Sequence, residues 1–147
     1  MKPIWIVDDD QSIRFVLEKA LARSNLPTRS FASPREVNNA LLTAADDELP
    51  RVMISDIRMP GGSGLDLLAK VKERFPGLPV IVMTAYSDLD SAVSAFQGGA
   101  FEYLPKPFDV PKAVELVQRA VAESEREAVA SESLAGRMAR LELTPFQ

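Results

Sequence analysis

The chain reads as an α/β domain whose parallel sheet is wound by helices on both faces. Three observations predict it. Ile4–Val7, Val52–Ile54 and Val80–Met83 are unbroken apolar runs, the pattern of strands buried on both sides. Between such runs lie longer segments whose apolar residues recur at helical spacing. Strand-like and helix-like segments alternate five times with connections of ordinary length, which calls for right-handed crossovers. Periodicity alone leaves the strand order open.

Taken in order, Ile4–Val7 is the first strand, and Ser12 is expected to cap a helix through about Ser24. Ile13, Val16, Leu17, Ala20 and Leu21 would face the sheet, and Asn25-Leu26-Pro27 ends the helix. Thr28–Phe31 is a short edge strand. Ser33-Pro34-Arg35-Glu36 joins a capping box to a proline at the first helical position, opening a helix through about Ala45. Asp46–Pro50 is a polar loop before the strand Val52–Asp56, which breaks at Pro60-Gly61-Gly62.

Ser63 is expected to cap a third helix carrying Leu65, Leu67, Leu68, Val71 and Phe75, stopped by Pro76-Gly77. Val80–Thr84 is the fourth strand. Ser87-Asp88-Leu89-Asp90 opens a fourth helix with carboxylates in its first turn, where the macrodipole favours them, and Gly98-Gly99 closes it. Phe101–Leu104 is the last strand. Pro105-Lys106-Pro107-Phe108-Asp109 leads to a fifth helix from about Val110.

Composition narrows the function classes. The 147 residues suffice for one domain with a full core plus a tail. The absence of cysteine excludes disulfides, thiolate metal sites and a Cys nucleophile, and points to the cytoplasm. The absence of histidine removes Ser-His-Asp chemistry, imidazole zinc sites and histidine phosphorylation on this chain. No apolar run approaches membrane-spanning length, and Met1-Lys2-Pro3 enters a strand rather than a signal peptide. A net charge of −4 argues against direct nucleic-acid binding. Residues 1–122 are close to neutral, so their acid is concentrated locally.

That concentration falls at the strand ends. Asp8, Asp9, Asp56, Thr84 and Lys106 all stand at or just after a predicted carboxyl terminus, and in a parallel sheet these termini share one edge. Two carboxylates about 4 Å apart repel by roughly 4 kcal/mol at an effective dielectric near 20. Such a group of acids takes up protons or binds a cation, and oxygen ligands without His or Cys favour a hard ion, most simply Mg²⁺. Each residue alone has a plainer reading. An Asp after a strand is commonly a turn former or cap, which is the simplest account of Asp10. Those readings do not predict five such residues at four strand ends at once. Metal, carboxylate and ammonium at one edge suit phosphoryl transfer, with Asp56 as nucleophile, Lys106 neutralising phosphoryl oxygens and Thr84 donating a hydrogen bond to one.

Val7-Asp8-Asp9-Asp10, Ser55-Asp56-Ile57-Arg58-Met59-Pro60-Gly61, Met83-Thr84-Ala85 and Tyr103-Leu104-Pro105-Lys106-Pro107-Phe108 together resemble the receiver domain of bacterial two-component response regulators. The likeness covers about residues 3–122. The longer runs Ile4–Asp10, Tyr86–Val93 and Gly99–Tyr103 are most similar to the nitrogen regulatory protein C (NtrC) branch. The resemblance implies a flavodoxin-like (CheY-like) doubly wound sheet of five parallel strands in the order 2-1-3-4-5, with five helices. It implies Mg²⁺ held by Asp9, Asp56 and the Arg58 backbone carbonyl, with Asp8 acting through water. It also implies a cis Lys106-Pro107 peptide that places the ammonium, and a switch in which Thr84 moves toward the phosphoryl group and Tyr103 follows. Ala92, Val93, Phe96 and Tyr103 would form an exposed apolar patch, unless Val93 and Phe96 are simply core. A sensor histidine kinase is the implied donor, an attached or separate output domain the implied target, and a homodimer on phosphorylation a further implied partner. Gly61-Gly62-Ser63-Gly64 departs from the branch, where a bulkier residue and an Asp are common, and is expected to loosen that loop.

The division expected is a receiver at 1–122 and a helical extension at 123–147. Val114, Val117, Val121, Ser124 and Ala128 follow a rough heptad, but Ser and Ala make a poor seam, so a solvated helical linker is favoured over a coiled coil. Gly136 should break it before Met138–Leu143. The chain carries no phosphate-binding Gly-x-x-x-x-Gly-Lys loop and no basic reading helix. It reads as the regulatory part of a sigma-54-dependent activator or as a free-standing receiver that signals by docking. A Mg²⁺-dependent aspartyl phosphatase is disfavoured because Arg58 stands where a second Asp is wanted. Flavin binding is disfavoured by the three acids after the first strand.

Overall fold

The computed structural model of the protein describes residues 2–59, 62–85 and 88–124. Strands β1 (Ile4–Val7), β2 (Thr28–Phe31), β3 (Val52–Asp56), β4 (Val80–Ala85) and β5 (Glu102–Lys106) form one parallel sheet in the order β2-β1-β3-β4-β5. Helices α1 (Gln11–Arg23), α2 (Pro34–Thr43), α3 (Gly64–Arg74), α4 (Leu89–Gln97) and α5 (110–124) wind around it. A two-residue antiparallel ladder joins Arg58–Met59 to Gly62–Ser63 beyond the end of β3.

Alternate residues of the central strands feed two separate cores, as the pleat requires. Trp5, Val7, Met53, Val80 and Val82 pack with Val37 and Leu41 of α2, Leu67, Leu68 and Val71 of α3, and Ala95 of α4. Ile4, Ile6, Val52, Ile54, Ile81 and Met83 pack with Leu17 and Leu21 of α1 and with Ala113, Leu116 and Val117 of α5. Each of these central strands is therefore buried on both faces, which explains why the sequence shows runs rather than alternation.

The Ser33 half of the capping box forms as expected, with the Ser33 hydroxyl accepting from the Glu36 amide at 3.3 Å, while the Glu36 carboxylate reaches back one residue further and accepts from the Ala32 amide at 3.0 Å. Ser12 is not a cap. Asp10 takes that place, its carboxylate accepting from the Ser12 amide at 2.8 Å, so the helix begins at Gln11, two residues earlier than a Ser12 cap would start it. Val16 lies toward solvent instead of the sheet, since Leu17, Ala20 and Leu21 already fill the α1 stripe. The last strand runs on to Lys106, beyond the expected Leu104. Pro105 is tolerated there because β5 is an edge strand and needs no donor on its outer side. Ser87 and the Ser63 side chain, the other two expected cap positions, lie outside the described residues.

Within α5, Val117 is buried and Val114 and Val121 are partly buried against the second core. The face that gave a rough heptad is thus used by this domain's own sheet as far as residue 121. The expected extension from residue 125 onward, including Gly136, lies outside the described residues. No described helix is long and apolar enough to cross a membrane.

Candidate functional site

The register aligns the strand termini. Val7 pairs with Ser55, Asp56 with Met83, and Ala85 with Lys106, so the residues that follow or end these strands converge on one edge. Ligand atoms of Asp8, Asp9 and Asp56 all lie within 4.8 Å of one another. The Lys106 ammonium bridges two of them, donating to Asp8 Oδ2 at 2.8 Å and lying 3.3 Å from Asp56 Oδ2. The Lys106-Pro107 peptide is cis.

Each acid has a different environment. Asp8 is fully buried, and its second oxygen accepts the Asp10 amide at 2.9 Å. Arg14 of α1 donates to the Asp8 backbone carbonyl, tying the helix to the end of β1. Asp9 is exposed. Asp56 retains 8 % exposure, enough to be reached from outside while largely desolvated. Its own carbonyl accepts from the Ser55 hydroxyl at 3.0 Å.

The electrostatics follow from this packing. Burial, then the charge of Asp8, pushes the Asp56 carboxyl above the usual range; Lys106 opposes this and Asp9 adds to it. Burial also works against the Lys106 ammonium. The hydrogen bond to Asp8 and the charges of Asp8 and Asp56 outweigh it and hold the lysine above its ordinary value. A single ammonium thus leaves Asp56 in excess negative charge. Clustered carboxylate oxygens with no nitrogen or sulfur donor fit a hard divalent cation.

Thr84 is buried at the end of β4, one residue beyond the partner of Asp56. Arg58 stands in the short ladder, and its guanidinium donates to Asp88 at 2.9 Å. That hydrogen bond, with a smaller contribution from Ser91, holds the Asp88 carboxyl below its ordinary range. Asp10, at the same edge, serves as a cap.

The aromatic residue Tyr103 is half-buried in β5, its ring meeting Phe96 edge-on at 5.8 Å between centroids. Val93 and Phe96 are exposed, so they are not core. Ala92 is buried, at 3 % exposure, and so drops out of the expected patch.

Of the Gly61–Gly64 run that was expected to loosen its loop, Gly61 lies outside the described residues, while Gly64 is closely packed. A Cβ there would lie 2.1 Å from the Asp56 carbonyl oxygen and 2.7 Å from the Ile57 Cα, both backbone atoms. The Gly64 amide also donates to the Ile57 carbonyl at 2.6 Å. The start of α3 is thereby pressed onto the segment that carries Asp56. The only sequence signal for this role is a glycine at the start of a helix, a residue that permits close backbone approach.

Comparison with known proteins agrees with this geometry. A family model described as the response regulator receiver domain matches residues 4–118. The DNA-binding transcriptional regulator NtrC of Salmonella typhimurium is 57 % identical over 119 residues, covering 81 % of this chain and 24 % of that protein. The Klebsiella pneumoniae NtrC is 59 % identical over 118 residues, covering 80 % and 24 %. The chain therefore spans about a quarter of the length of these relatives. Among solved structures, the apo receiver domain of nitrogen regulatory protein C superposes with a TM-score of 0.71 at 57 % identity, covering 82 % of this chain and 94 % of that one. The receiver domain of NtrX from Brucella abortus gives 0.74 at 30 % identity, covering 81 % and 98 %. With the sheet order, the match over 4–118 and the NtrC likeness in hand, the chain belongs to the response regulator receiver domain family and is of the NtrC type.

Proposed function

We propose that this receiver accepts a phosphoryl group on Asp56 from the phosphohistidine of a sensor histidine kinase. The observation that carries the reading is the convergence of Asp8, Asp9, Asp56 and Lys106 at one sheet edge. An Asp56 oxygen attacks phosphorus in line, an O–P bond forms, and the donor's P–N bond breaks with its electron pair leaving on the imidazole. Lys106 presents a fixed ammonium to the transferred oxygens, and the Thr84 hydroxyl donates to one of them. Asp9, Asp56 and the Arg58 carbonyl would hold Mg²⁺, with Asp8 acting through water. When bound, the ion supplies positive charge that offsets the oxygens gathering at phosphorus.

The consequence is a change of population. Phosphorylation favours the conformation in which Thr84 and Tyr103 close toward the site, a state already present as a minority, and the α4–β5 surface around Val93 and Phe96 carries the change outward. The chain does not turn over a free substrate, so its role is regulatory rather than enzymatic. Its similarity to NtrC supports control of a sigma-54-dependent activator in nitrogen regulation, in the cytoplasm, with residues 1–122 as receiver and 123–147 as the link to an output domain. Phosphorylation-driven homodimerisation and the lack of direct nucleic-acid contact belong to the same reading.

Treatment with acetyl phosphate and Mg²⁺, followed by mass spectrometry that locates the modified residue, tests it. One phosphoryl group on Asp56 is the expected result. Modification elsewhere, or none, would overturn the assignment.

A further inference from the structure

Asp8 is gripped at every polar group it has. Its amide donates to the Phe31 carbonyl at 3.1 Å, at the end of β2. One carboxylate oxygen accepts the Asp10 amide at 2.9 Å, and the other accepts the Lys106 ammonium at 2.8 Å. Its carbonyl accepts from the Arg14 guanidinium, which reaches back from the first turn of α1. The Arg14 contact is the unexpected one. Three carboxylates crowd the same edge, yet this half-buried cation is turned to a neutral carbonyl.

The Asp8 carbonyl and the Asp9 amide belong to one planar unit, so holding the carbonyl fixes the peptide that enters Asp9. The peptide that leaves Asp9 is fixed by the Asp10 amide on the Asp8 carboxylate. Asp9 itself is exposed, so its carboxylate takes its aim from these two planes.

We propose that Arg14 is a positioning residue for the cation site, orienting the Asp8–Asp9 peptide so that the Asp9 carboxylate meets those of Asp8 and Asp56. The inference rests on the reading of that cluster as the Mg²⁺ site. Charge and position predict opposite signs. As a charge alone, a cation beside an acidic pocket opposes a divalent ion, and its removal tightens binding. As a brace, its removal weakens binding by about tenfold, the lower end of the range for groups that orient metal ligands.

Melting temperatures of the full 147-residue chain over a Mg²⁺ series give the affinity, and the value in chelator reads any purely structural cost separately. Arg14→Met keeps an apolar stem without a donor and should bind Mg²⁺ about tenfold more weakly than the parent. Arg14→Lys keeps the charge and an ammonium donor, so its affinity should fall between the two and report orientation alone. A methionine variant that binds as tightly as the parent or more tightly would overturn the proposal. So would a lysine variant that matches the parent or binds no better than methionine. A parent whose melting temperature ignores Mg²⁺ would overturn the cation site and this inference with it. The series contains no phosphodonor, so its outcome is separate from the labelling of Asp56.

Discussion

The two edges of the sheet carry like charges under opposite conditions. At the carboxyl edge, Asp8 is fully buried and Asp56 nearly so, and one ammonium serves both. At the amino edge, Lys2 and Arg74 are exposed around an open groove. Water screens the second set, so gathering those cations costs little. The first set is desolvated, so its repulsion is retained in the folded protein and raises the affinity of Asp56 for a proton or a cation. The difference teaches where charge is a surface property and where it is stored for chemistry.

The largest way to break the contrast is to remove the central acid. Asp56→Asn should abolish acyl-phosphate labelling, read by mass spectrometry after acetyl phosphate; undiminished labelling would refute its role. Lys106→Ala should permit some labelling while uncoupling the output, and a variant that signals fully would count against Lys106.

Next in size is Gly64→Ala. The added methyl collides with the Asp56 carbonyl oxygen at 2.1 Å, and backbone must move on one side or the other. A loss of about 1–3 kcal/mol in denaturant unfolding is expected, the usual cost of overpacking, together with slower labelling of Asp56. A variant of unchanged stability and labelling rate would show that α3 is not braced against β3.

A sharper test uses sign instead of size. The folded-state pKa of Asp56 is raised above its ordinary value of 3.8, so the folded chain holds that proton more tightly than the unfolded one. Stability from this group is therefore lost as pH rises through the window above 3.8, and at neutral pH the ionised carboxylate is destabilising. With chelator present, Asp56→Asn should raise the melting temperature, and adding Mg²⁺ should stabilise the parent more than the variant. A fall in melting temperature under chelation would contradict the electrostatic account.

The smallest effect is expected at the Arg58–Asp88 pair, whose arginine is exposed. Asp88 is held below its ordinary pKa, so its contribution is present above the unfolded value and fades as pH falls through the folded one. Arg58→Ala should flatten that acid dependence slightly in a pH series of thermal melts. A large change would mean the pair is more than a surface contact.

Much of this is legible in the sequence. Apolar runs ending in Asp8, Asp56 and Thr84 fix both the strands and the edge they share, because a parallel sheet leaves those ends nowhere else to go. The α2 start was equally plain, since Ser33, Pro34 and Glu36 act on backbone groups within one turn. Where two candidates competed for one local job, sequence could not choose. Asp10 won the α1 cap from Ser12, which instead donates the amide that Asp10 accepts.

What the sequence by itself determined is the set of groups and the side of the sheet on which they gather, since periodicity and strand polarity are local properties. Only the tertiary structure decided which oxygen of Asp8 takes Lys106, which of Ala92 and Val93 faces water, and that Gly64 leaves no room beside Asp56. These depend on distances between segments far apart in the chain, and burial changes the energy of a charge in a way no spacing of letters records.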